Sequence, residues 1–326
     1  MVEKIINWGI IGCGKIAQKF VIALETCKNT SLGGIASQTK GKARQFSKKF
    51  NVRTYYEDYQ SLVNDPNIDV VYIATTNNSH YENALLCLNH NKHVLCEKPF
   101  TLNASQTENL IKVSKKNNLF LMEAMWTRFF PCIIKLNTIL EENIIGEIYH
   151  IKADFGINAK GIERLTNLHL GGGALLDLGI YSISFSQMIY RCSPLRIKSS
   201  SYLGETKVDE FSHYLLEYKN NKTAMCSSSF IFNIPHSAFI YGKKGYIEIL
   251  DFFHPSEMII KLDNEDKRII EIPYKSNGYN YEINEVVECI SKGKEESEIM
   301  PLNDTLDIMK TMDIIRSQWN LKYPDE

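Results

Sequence analysis

The chain has 326 residues, with 37 Lys and Arg against 38 Asp and Glu, so its formal net charge is −1. This length predicts two domains, and the balanced charge excludes a polybasic protein that binds nucleic acid or a membrane surface. No apolar run approaches the ~20 residues of a membrane span, no signal-peptide pattern precedes the first strand, and the 8 cysteines include no C-x-x-C pair, so we expect free thiols in the cytoplasm.

The first third of the chain alternates strand and helix patterns, which is typical of a parallel sheet with right-handed crossovers. Residues 70–74 form a continuous apolar run, as expected of a strand that is buried on both faces. We predict strands over residues 5–11, 31–36, 52–56, 70–74, 93–96 and 119–122. Helices are predicted from the first loop to residue 27 and over residues 41–50, 59–64, 80–91 and 104–117.

A glycine-rich loop, G-x-G-x-x-A, joins the first strand to the first helix. Gly12 allows the tight turn, Gly14 lets the backbone approach a phosphate, and Ala17 allows close helix packing. The N–H groups and the positive dipole end of the helix then face the phosphate charge. The loop therefore predicts NAD or NADP binding, with further cofactor contacts from Cys13, Lys15 and Ile16. Cys13 is interpreted as a small buried residue, with a reactive thiol as the alternative.

After about Trp126 the pattern changes to strands that few helices separate, which predicts hairpins. We predict strands over residues 147–155, 197–203, 210–218, 223–232, 237–241, 245–250 and 257–262, and helices over residues 131–140, 171–189, 281–291 and 303–320. The predicted fold class is α/β, with an N-terminal Rossmann parallel sheet in residues 1–124. Residues 125–326 are predicted to form a C-terminal α+β domain on a largely antiparallel or mixed open sheet, with the last helix a candidate to pack on the first domain.

Three further positions carry side chains suited to redox chemistry. Lys98, in Glu97-Lys98-Pro99, follows a buried strand at the sheet edge where open α/β folds bind ligands. Asp177 and Tyr181 are four residues apart, so on a helix their side chains share one face. A tyrosine, with an ordinary pKa near ~10, becomes a credible base only beside a cation. Taken alone, these residues would also suit a surface lysine, a helix-face carboxylate and a phenol at the edge of the core.

These motifs resemble those of the glucose–fructose oxidoreductase/inositol dehydrogenase/rhizopine-catabolism (Gfo/Idh/MocA) family. The resemblance rests on the glycine loop, on Glu97-Lys98-Pro99 and on the segment from Asp177 to Tyr181. Residues 121–131 and 172–181 are similar to the dimeric dihydrodiol dehydrogenases, a branch that also contains NADP-dependent D-xylose dehydrogenases. Most of the wider family carries histidine where this chain has Tyr181, whereas that branch carries tyrosine. The resemblance extends over nearly the whole chain.

The resemblance implies an oxidoreductase that transfers a hydride between NADP(H) and a carbinol or carbonyl carbon of a sugar or vicinal diol. It implies that Tyr181 donates or accepts the proton, that Lys98 is its electrostatic partner, and that Asp177 orients the substrate or accepts from its hydroxyl. Arg128 is expected at the cofactor or the substrate, with a structural brace as the alternative. Cofactor contacts are also expected from Thr75, Thr76, Asn77, His80, Glu97, Lys98 and Trp126.

The tip of the second strand bears on the choice between NAD and NADP. An NAD site usually presents an acid to the ribose 2′-OH there, but this chain has none in the segment from Ser37 to Lys42. Ser37, Thr39 and the cations Lys40, Lys42 and Arg44 are therefore expected to suit the 2′-phosphate of NADP(H), with Gln38 as a further cofactor contact and NAD(H) as the alternative cofactor. The related branch usually has arginine where this chain has Gln38, which makes the expected preference for NADP(H) modest.

Aromatic and histidine side chains supply the remaining candidates. Trp126, Phe129 and Phe155 are expected to form a wall for a ring-shaped substrate, or else to belong to the core. His80 is placed near the nicotinamide by the resemblance, with a solvent-facing histidine as the alternative, and His169 is a weaker candidate for the substrate pocket. The His, Cys, Asp and Glu residues show no metal-ligand spacing, so no metal is predicted.

A second function fits the same fold: a nucleotide-sensing regulator without turnover, as some members of this family are. The presence of Lys98, Asp177 and Tyr181 together favours the enzyme. The open face of the C-terminal sheet, including residues 225–232 and 238–241, is expected to form a homodimer or a higher homo-oligomer. No nucleic-acid or membrane partner is predicted. The particular sugar or diol and the reaction direction stay open, because the loops at residues 156–170 and 251–256 shape the pocket.

Overall fold

The computed structural model describes residues 5–324 and residue 326. The chain forms two compact units that interleave along the sequence. The first contains the residues up to Thr101 together with Ser105–Trp126 and Lys275–Thr305, and the second contains Leu102–Ala104, Thr127–Tyr274 and Leu306–Glu326. A single division after residue 124 stays a prediction, because the chain crosses between the units more than once.

Six parallel strands form the sheet of the first unit: β1 (Ile6–Ile11), β2 (Thr30–Ala36), β3 (Tyr55–Tyr56), β4 (Val70–Ile73), β5 (His93–Glu97) and β6 (Leu121–Ala124). The helices that accompany them are α1 (Lys15–Leu24), α2 (Lys42–Phe50), α3 (Tyr59–Asn64), α4 (His80–Asn89) and α5 (Ala104–Lys116). The spatial order is β3-β2-β1-β4-β5-β6. The chain order therefore reverses between β1 and β4, where open α/β sheets bind ligands beyond the carboxyl ends of the strands.

Eight strands form the sheet of the second unit: β7 (Ile148–Gly156), β8 (Arg196–Leu203), β9 (Asp209–Glu217), β10 (Thr223–Ser229), β11 (Ser237–Gly242), β12 (Gly245–Leu250), β13 (Glu257–Leu262) and β14 (Arg268–Glu271). Their order is β14-β13-β12-β11-β7-β10-β9-β8, in which only β7 and β10 pair in parallel. The helices are α6 (Pro131–Glu141), α7 (Glu163–Thr166) and α8 (Ile180–Tyr190), the last preceded by a π-helical turn over Leu175–Gly179. Two helices follow: α9 (Tyr279–Ser291) and α10 (Leu302–Gln318).

Aromatic rings fill the space between the sheet and α1 in the first unit. Phe20 of α1 stacks on Tyr72 of β4 with ring centroids 3.7 Å apart, and Trp8 of β1 meets Phe20 edge-on at 5.2 Å. The chain reaches α9 through Asn277, whose side-chain amide donates to Lys19 O at 2.8 Å. This packing joins α9 to the first unit although it lies late in the chain.

The two faces of the second sheet differ in burial. Side chains alternate along β10, where Ala224 and Cys226 are buried and Met225 is 51% exposed. The buried face packs against α8, which contacts β7 and β10. The opposite face carries the exposed side chains of Met225 and Tyr241. One face therefore belongs to the core and the other is open in the single chain.

The predicted fold class is confirmed, but in the second unit two predicted elements had wrong bounds and one strand was not predicted. The strand predicted to reach residue 232 ends at Ser229, because the Ser229 hydroxyl accepts from the backbone N–H groups of Ile231 and Phe232 and turns the chain. The helix predicted from residue 171 begins at Leu175, after glycines at positive φ. Strand β14 was missed, since its short and mostly exposed sequence lacks an alternating pattern.

Within residues 5–324 and 326, no helix has the length and apolar character needed to cross a membrane.

Candidate active site

The glycine loop lies at the reversal point of the first sheet. Gly12 has φ +103°, and a Cβ there would lie 2.5 Å from Ala74 O, at the end of β4. A Cβ on Gly14, in contrast, would meet no described atom within 4 Å. The first turn of α1 contains no acidic residue, and no described side chain caps its N–H groups. A dinucleotide pyrophosphate fits this arrangement, because its charge would meet free N–H donors over an open backbone.

Cys13, between the two glycines, is buried, and its thiol points to Ala36 O at 3.8 Å. Burial raises the pKa of the Cys13 thiol to about 11, so the side chain is protonated at neutral pH. This is the behaviour of a small buried residue and not of a reactive thiol. A contact between Cys13, Lys15 or Ile16 and the cofactor stays a prediction.

The loop after β2 carries the residues expected at the ribose 2′ position. Ser37 is buried and its hydroxyl accepts from Thr39 N at 3.2 Å, whereas Gln38 and Lys42 are exposed. Lys42 is the first residue of α2, after Gly41 at φ +75°. Glu57, which the sequence analysis missed, accepts from Gly41 N at 3.1 Å. A carboxylate therefore accepts from the backbone N–H that precedes α2, and a 2′-phosphate contact at this end of α2 stays a prediction.

The loop after β4 holds Thr75, Thr76 and Asn77, each half-buried. His80 follows at the start of α4 and is 1% exposed, so the solvent-facing alternative was wrong. Its Nδ1 lies 2.8 Å from Pro99 O and its Nε2 lies 3.3 Å from Thr75 O. Burial lowers the pKa of His80, which keeps the ring neutral at pH 7. A neutral imidazole carries one N–H, so it donates to one of these two carbonyl oxygens, and the shorter distance favours Pro99 O as the acceptor.

The loop after β5 presents Lys98 at the same edge of the sheet, and the Lys98–Pro99 peptide bond is cis. Tyr72 of β4 donates its phenolic O–H to Glu97 Oε1. Burial, together with the charge of Glu97, raises the pKa of Tyr72 well above its usual value, so the phenol remains a donor. Phe100 N donates to Glu123 Oε1 at 3.1 Å. The half-buried Glu97, held by the Tyr72 phenol, and the buried Glu123 thus accept from backbone N–H groups at Lys98 and Phe100.

The aromatic residues predicted as one wall belong to two different units, so the wall stays a prediction. In the first unit, Trp126 packs on Tyr279 of α9 with ring centroids 4.7 Å apart. In the second unit, Phe155 lies 5.3 Å from the ring of Tyr181 and 4.5 Å from the ring of Phe253. Phe129 is buried. Residues 251–256 were predicted to shape the pocket, but Phe253 was not predicted as an individual residue of it.

Asp177 and Tyr181 lie on the helical segment that opens with the π turn. Both are buried, and the Arg164 side chain, from α7, holds the Asp177 carboxylate through two bonds of 2.7 and 3.2 Å. A bidentate arginine fixes both the position and the orientation of a carboxylate. Arg164 is a second residue that the sequence analysis missed, because its partner is separated from it by a loop.

Arg128 is buried and bonds to the far side of the same helix. Its Nη2 donates to Gln187 Oε1 at 2.7 Å and to Ser184 O at 3.3 Å, and its Nε donates to Ser184 Oγ at 3.2 Å. These contacts fit the structural alternative, and a cofactor contact by Arg128 stays a prediction. His169 is exposed on the loop before the turn. Among the described residues, no group of three or more His, Cys, Asp or Glu side chains could hold a metal ion.

The chain matches known families over most of its length. Residues 6–125 match the oxidoreductase family described by an NAD-binding Rossmann fold, and residues 133–248 match the GFO/IDH/MocA C-terminal domain. A trans-1,2-dihydrobenzene-1,2-diol dehydrogenase of Xenopus tropicalis is 36% identical over 330 residues, which cover 98% of this chain and 99% of that protein. The Homo sapiens protein of the same name is 30% identical, with the same coverage.

Solved structures of similar fold include oxidoreductases. A 3-ketoreductase from Actinomadura kijaniata, in complex with NADP and TDP-benzene, superposes with a TM-score of 0.87 at 25% identity, covering 96% of this chain and 97% of that one. An aldose–aldose oxidoreductase from Caulobacter crescentus has a TM-score of 0.86 at 23% identity, covers 96% of each chain, and shares the fold.

Replacing His80 by Phe should lower the free energy of unfolding by about 1–3 kcal/mol, because a buried carbonyl group loses its hydrogen-bond donor. Urea unfolding measures this loss. His90→Phe is the matched control, since the His90 ring is hydrogen-bonded as well but is less buried, so water can replace its partners. An equal loss in both variants would contradict the assigned role of His80.

Proposed function

This chain belongs to the Gfo/Idh/MocA family of NAD(P)-dependent oxidoreductases, and from that membership we propose that it transfers a hydride between NADP(H) and a carbinol or carbonyl carbon of a sugar or vicinal diol. The resemblance found in the sequence is thereby confirmed. The relatives are dehydrogenases, which favours the enzyme over a nucleotide-sensing regulator.

The observation that carries the proposal is the setting of Tyr181. Its phenol lies on the first turn of α8, with Asp177 one turn earlier and the rings of Phe155 and Phe253 beside it. The rings offer an apolar surface to one face of a sugar or cyclic diol, and the phenol and carboxylate offer hydrogen bonds to its hydroxyls. This combination suits a small polar ring with adjacent hydroxyl groups.

We assign Tyr181 as the proton acceptor in oxidation and the proton donor in reduction. Asp177, held by Arg164, orients a substrate hydroxyl by accepting its hydrogen bond. Lys98 is assigned as the electrostatic partner of the Tyr181 phenol in the proton transfer. When bound, the nicotinamide ring supplies or accepts the hydride.

The nucleotide is assigned to the carboxyl edge of the first sheet. The open backbone at Gly14 and the N–H groups of α1 would hold the pyrophosphate. Ser37, Gln38 and Lys42 would hold the ribose and its 2′-phosphate, and the loop from Thr75 to Asn77 would lie along the nicotinamide half. The NADP-bound 3-ketoreductase of similar fold supports NADP(H) as the cofactor.

The compartment proposed for this activity is the cytoplasm. All 8 cysteines are described, and all are free thiols. Free thiols in this number favour a reducing environment.

A homodimer through the open face of the second sheet is proposed. The strand register places one row of side chains across this face, from β9 to β14: Leu215, Met225, Lys152, Phe239, Glu248, Ile259 and Ile269. Tyr241 stacks beside Phe239 with ring centroids 5.9 Å apart. A row of mixed but mainly apolar side chains across the open face of a sheet is suited to pairing with a second copy.

Tyr181→Phe should lower kcat/KM by about 10²–10⁴-fold, because the ring remains but the proton-transferring hydroxyl is lost. Lys98→Met should lower it comparably and raise the pH at which the remaining activity appears. Turnover is followed as NADPH absorbance with trans-dihydrodiols, pentoses and hexoses, and NADPH affinity is measured by fluorescence.

Tyr190→Phe is the matched control on the same helix, because the Tyr190 hydroxyl donates to Thr223 O. It should keep kcat/KM within about twofold, as substitutions outside a functional site usually do. Unchanged kcat/KM in Tyr181→Phe, or wild-type binding of NADPH without turnover of any substrate, would refute the assignment.

Lys42→Ala should weaken NADPH binding about tenfold and NADH binding little, since only NADPH has the 2′-phosphate. Glu57→Gln should tighten NADPH binding a few-fold by removing a nearby negative charge. Lys49→Ala removes the same charge from the other end of α2 and serves as the control. Equal weakening of both nucleotides in Lys42→Ala would show that this end of α2 does not select the phosphate.

Met225→Lys should raise the dimer dissociation constant about a hundredfold. The proposed interface would lose the apolar burial of two methionines and gain a positive charge near Lys152. Sedimentation equilibrium at micromolar concentration measures this change. Ile134→Lys alters an exposed isoleucine on α6 and should leave the mass unchanged. A wild-type monomer at these concentrations would rule the interface out.

A further inference from the structure

We propose that Asp209 is a positioning residue whose buried carboxylate holds the beginning of the helical segment that carries Asp177 and Tyr181. The inference rests on the function proposed above for those two residues. Asp209 lies on β9, at a distance in sequence from the segment it contacts, and neither the motifs nor the spacing of the chain indicated it.

The carboxylate caps the π turn at its first residue. Asp209 Oδ2 accepts from Leu175 N at 2.7 Å and from Ser212 Oγ at 3.1 Å. Asp177 is two residues beyond Leu175. A carboxylate that accepts from the first N–H of a helical segment stabilises that end by a charge-assisted bond and by the helix dipole. The bond therefore fixes where the helical segment begins.

The backbone before the turn packs closely against the Asp209 carboxylate. Gly173 has φ +123°, and a Cβ at this position would overlap Asp209 Oδ1. On the preceding residue, Gly172 O accepts from the Tyr323 hydroxyl at 2.7 Å. The backbone that enters the turn is thus held between a carboxylate and a phenol.

The other end of the turn rests on the same polar cluster. The hydroxyls of Ser212, Tyr214 and Ser228 form a connected set beside Asp209. A Cβ on Gly179 would lie 2.5 Å from the Tyr214 hydroxyl, so the backbone of the turn lies directly on this phenol. A connected buried network that touches both ends of the turn can transmit a change at Asp209 to Tyr181, two residues after Gly179.

Asp209 is also the member of this cluster that changes charge near neutral pH. Burial raises the pKa of its carboxyl to about 7, while the bonds from Leu175 N and Ser212 and the charge of Arg316 act in the opposite direction. The other oxygen, Oδ1, has no hydrogen-bond partner among the described residues.

The charged and titratable groups that face Asp209 do not share this behaviour. They are Tyr214 on the same strand, Arg316 on α10 and Tyr323 in the segment after α10. Burial raises the pKa of both phenols, so they stay neutral, and the guanidinium stays charged. Asp177, on the turn itself, is paired with Arg164. Below about pH 7 the cap on Leu175 N therefore loses its charge.

Asp209→Asn tests the role, because the amide keeps the shape and an acceptor oxygen but removes the charge. We expect kcat at pH 8 to fall about tenfold, with NADPH affinity unchanged. In the wild type, kcat should decrease as pH falls through about 7, and this limb should be absent in the variant. A side chain that only stabilised the fold would not remove the limb.

Hydrogen exchange supplies a readout that does not need turnover. The peptide covering residues 173–182 should exchange about tenfold faster in Asp209→Asn than in the wild type at one pH, since the Leu175 amide loses its charged acceptor. Glu296→Gln is the matched control, because Glu296 Oε2 accepts from Leu302 N at 2.8 Å, at the first residue of α10. Glu296→Gln should change neither the exchange rate of this peptide nor kcat.

Ser212→Ala covers the case in which Asp209→Asn does not fold. It removes one donor to the carboxylate, so the acid limb of kcat should move to higher pH. If Asp209→Asn exchanges faster but no protein, the wild type included, turns over a substrate, the proposed function is rejected and the capping role of Asp209 stands. Wild-type exchange in Asp209→Asn, or an unmoved acid limb in Ser212→Ala, would overturn the inference.

Discussion

The parallel pairing of β2, β1, β4 and β5 is the constraint on which the nucleotide half of the site depends. Because these neighbours run in one direction, the loops that follow them open on one edge of the sheet. The glycine loop, Ser37, Thr75 and Lys98 each follow a different strand, yet this geometry gathers them. The reversal of chain order between β1 and β4 leaves that edge accessible to the cofactor, since no crossover helix covers it there.

Buried polar side chains then fix the loops more closely than the sheet alone could. His80 lies within hydrogen-bonding distance of one carbonyl oxygen of each of two loops, and Tyr72 donates to Glu97 beside Lys98. Each contact involves a group whose burial disfavours its charged form, as the shifted pKa values of His80 and Tyr72 indicate. Such groups are costly to bury without partners, so the loops have one low-energy arrangement.

The sequence was informative wherever the signal was local. Period and composition predicted the central strands, and the glycine loop predicted the nucleotide end with its backbone requirements. Glu57, Arg164 and Asp209 were not predicted, because each bonds to a group that tertiary folding brings near. Asp209, for example, caps a residue 34 positions away. The π turn was not predicted for another reason: its mainly apolar sequence fits an α-helix equally well.

Three charged side chains bond to one helical segment in the second unit. Arg164 holds Asp177, Arg128 holds the far turn of α8, and Asp209 holds the first N–H. Apolar residues of similar volume would often stabilise a core as well as buried charges do, so stability alone does not account for this choice. Directional bonds limit both rotation and translation of the helix, and the proton transfer proposed for Tyr181 requires placement within a fraction of an ångström. The charges are therefore best understood as fixing the geometry of the phenol.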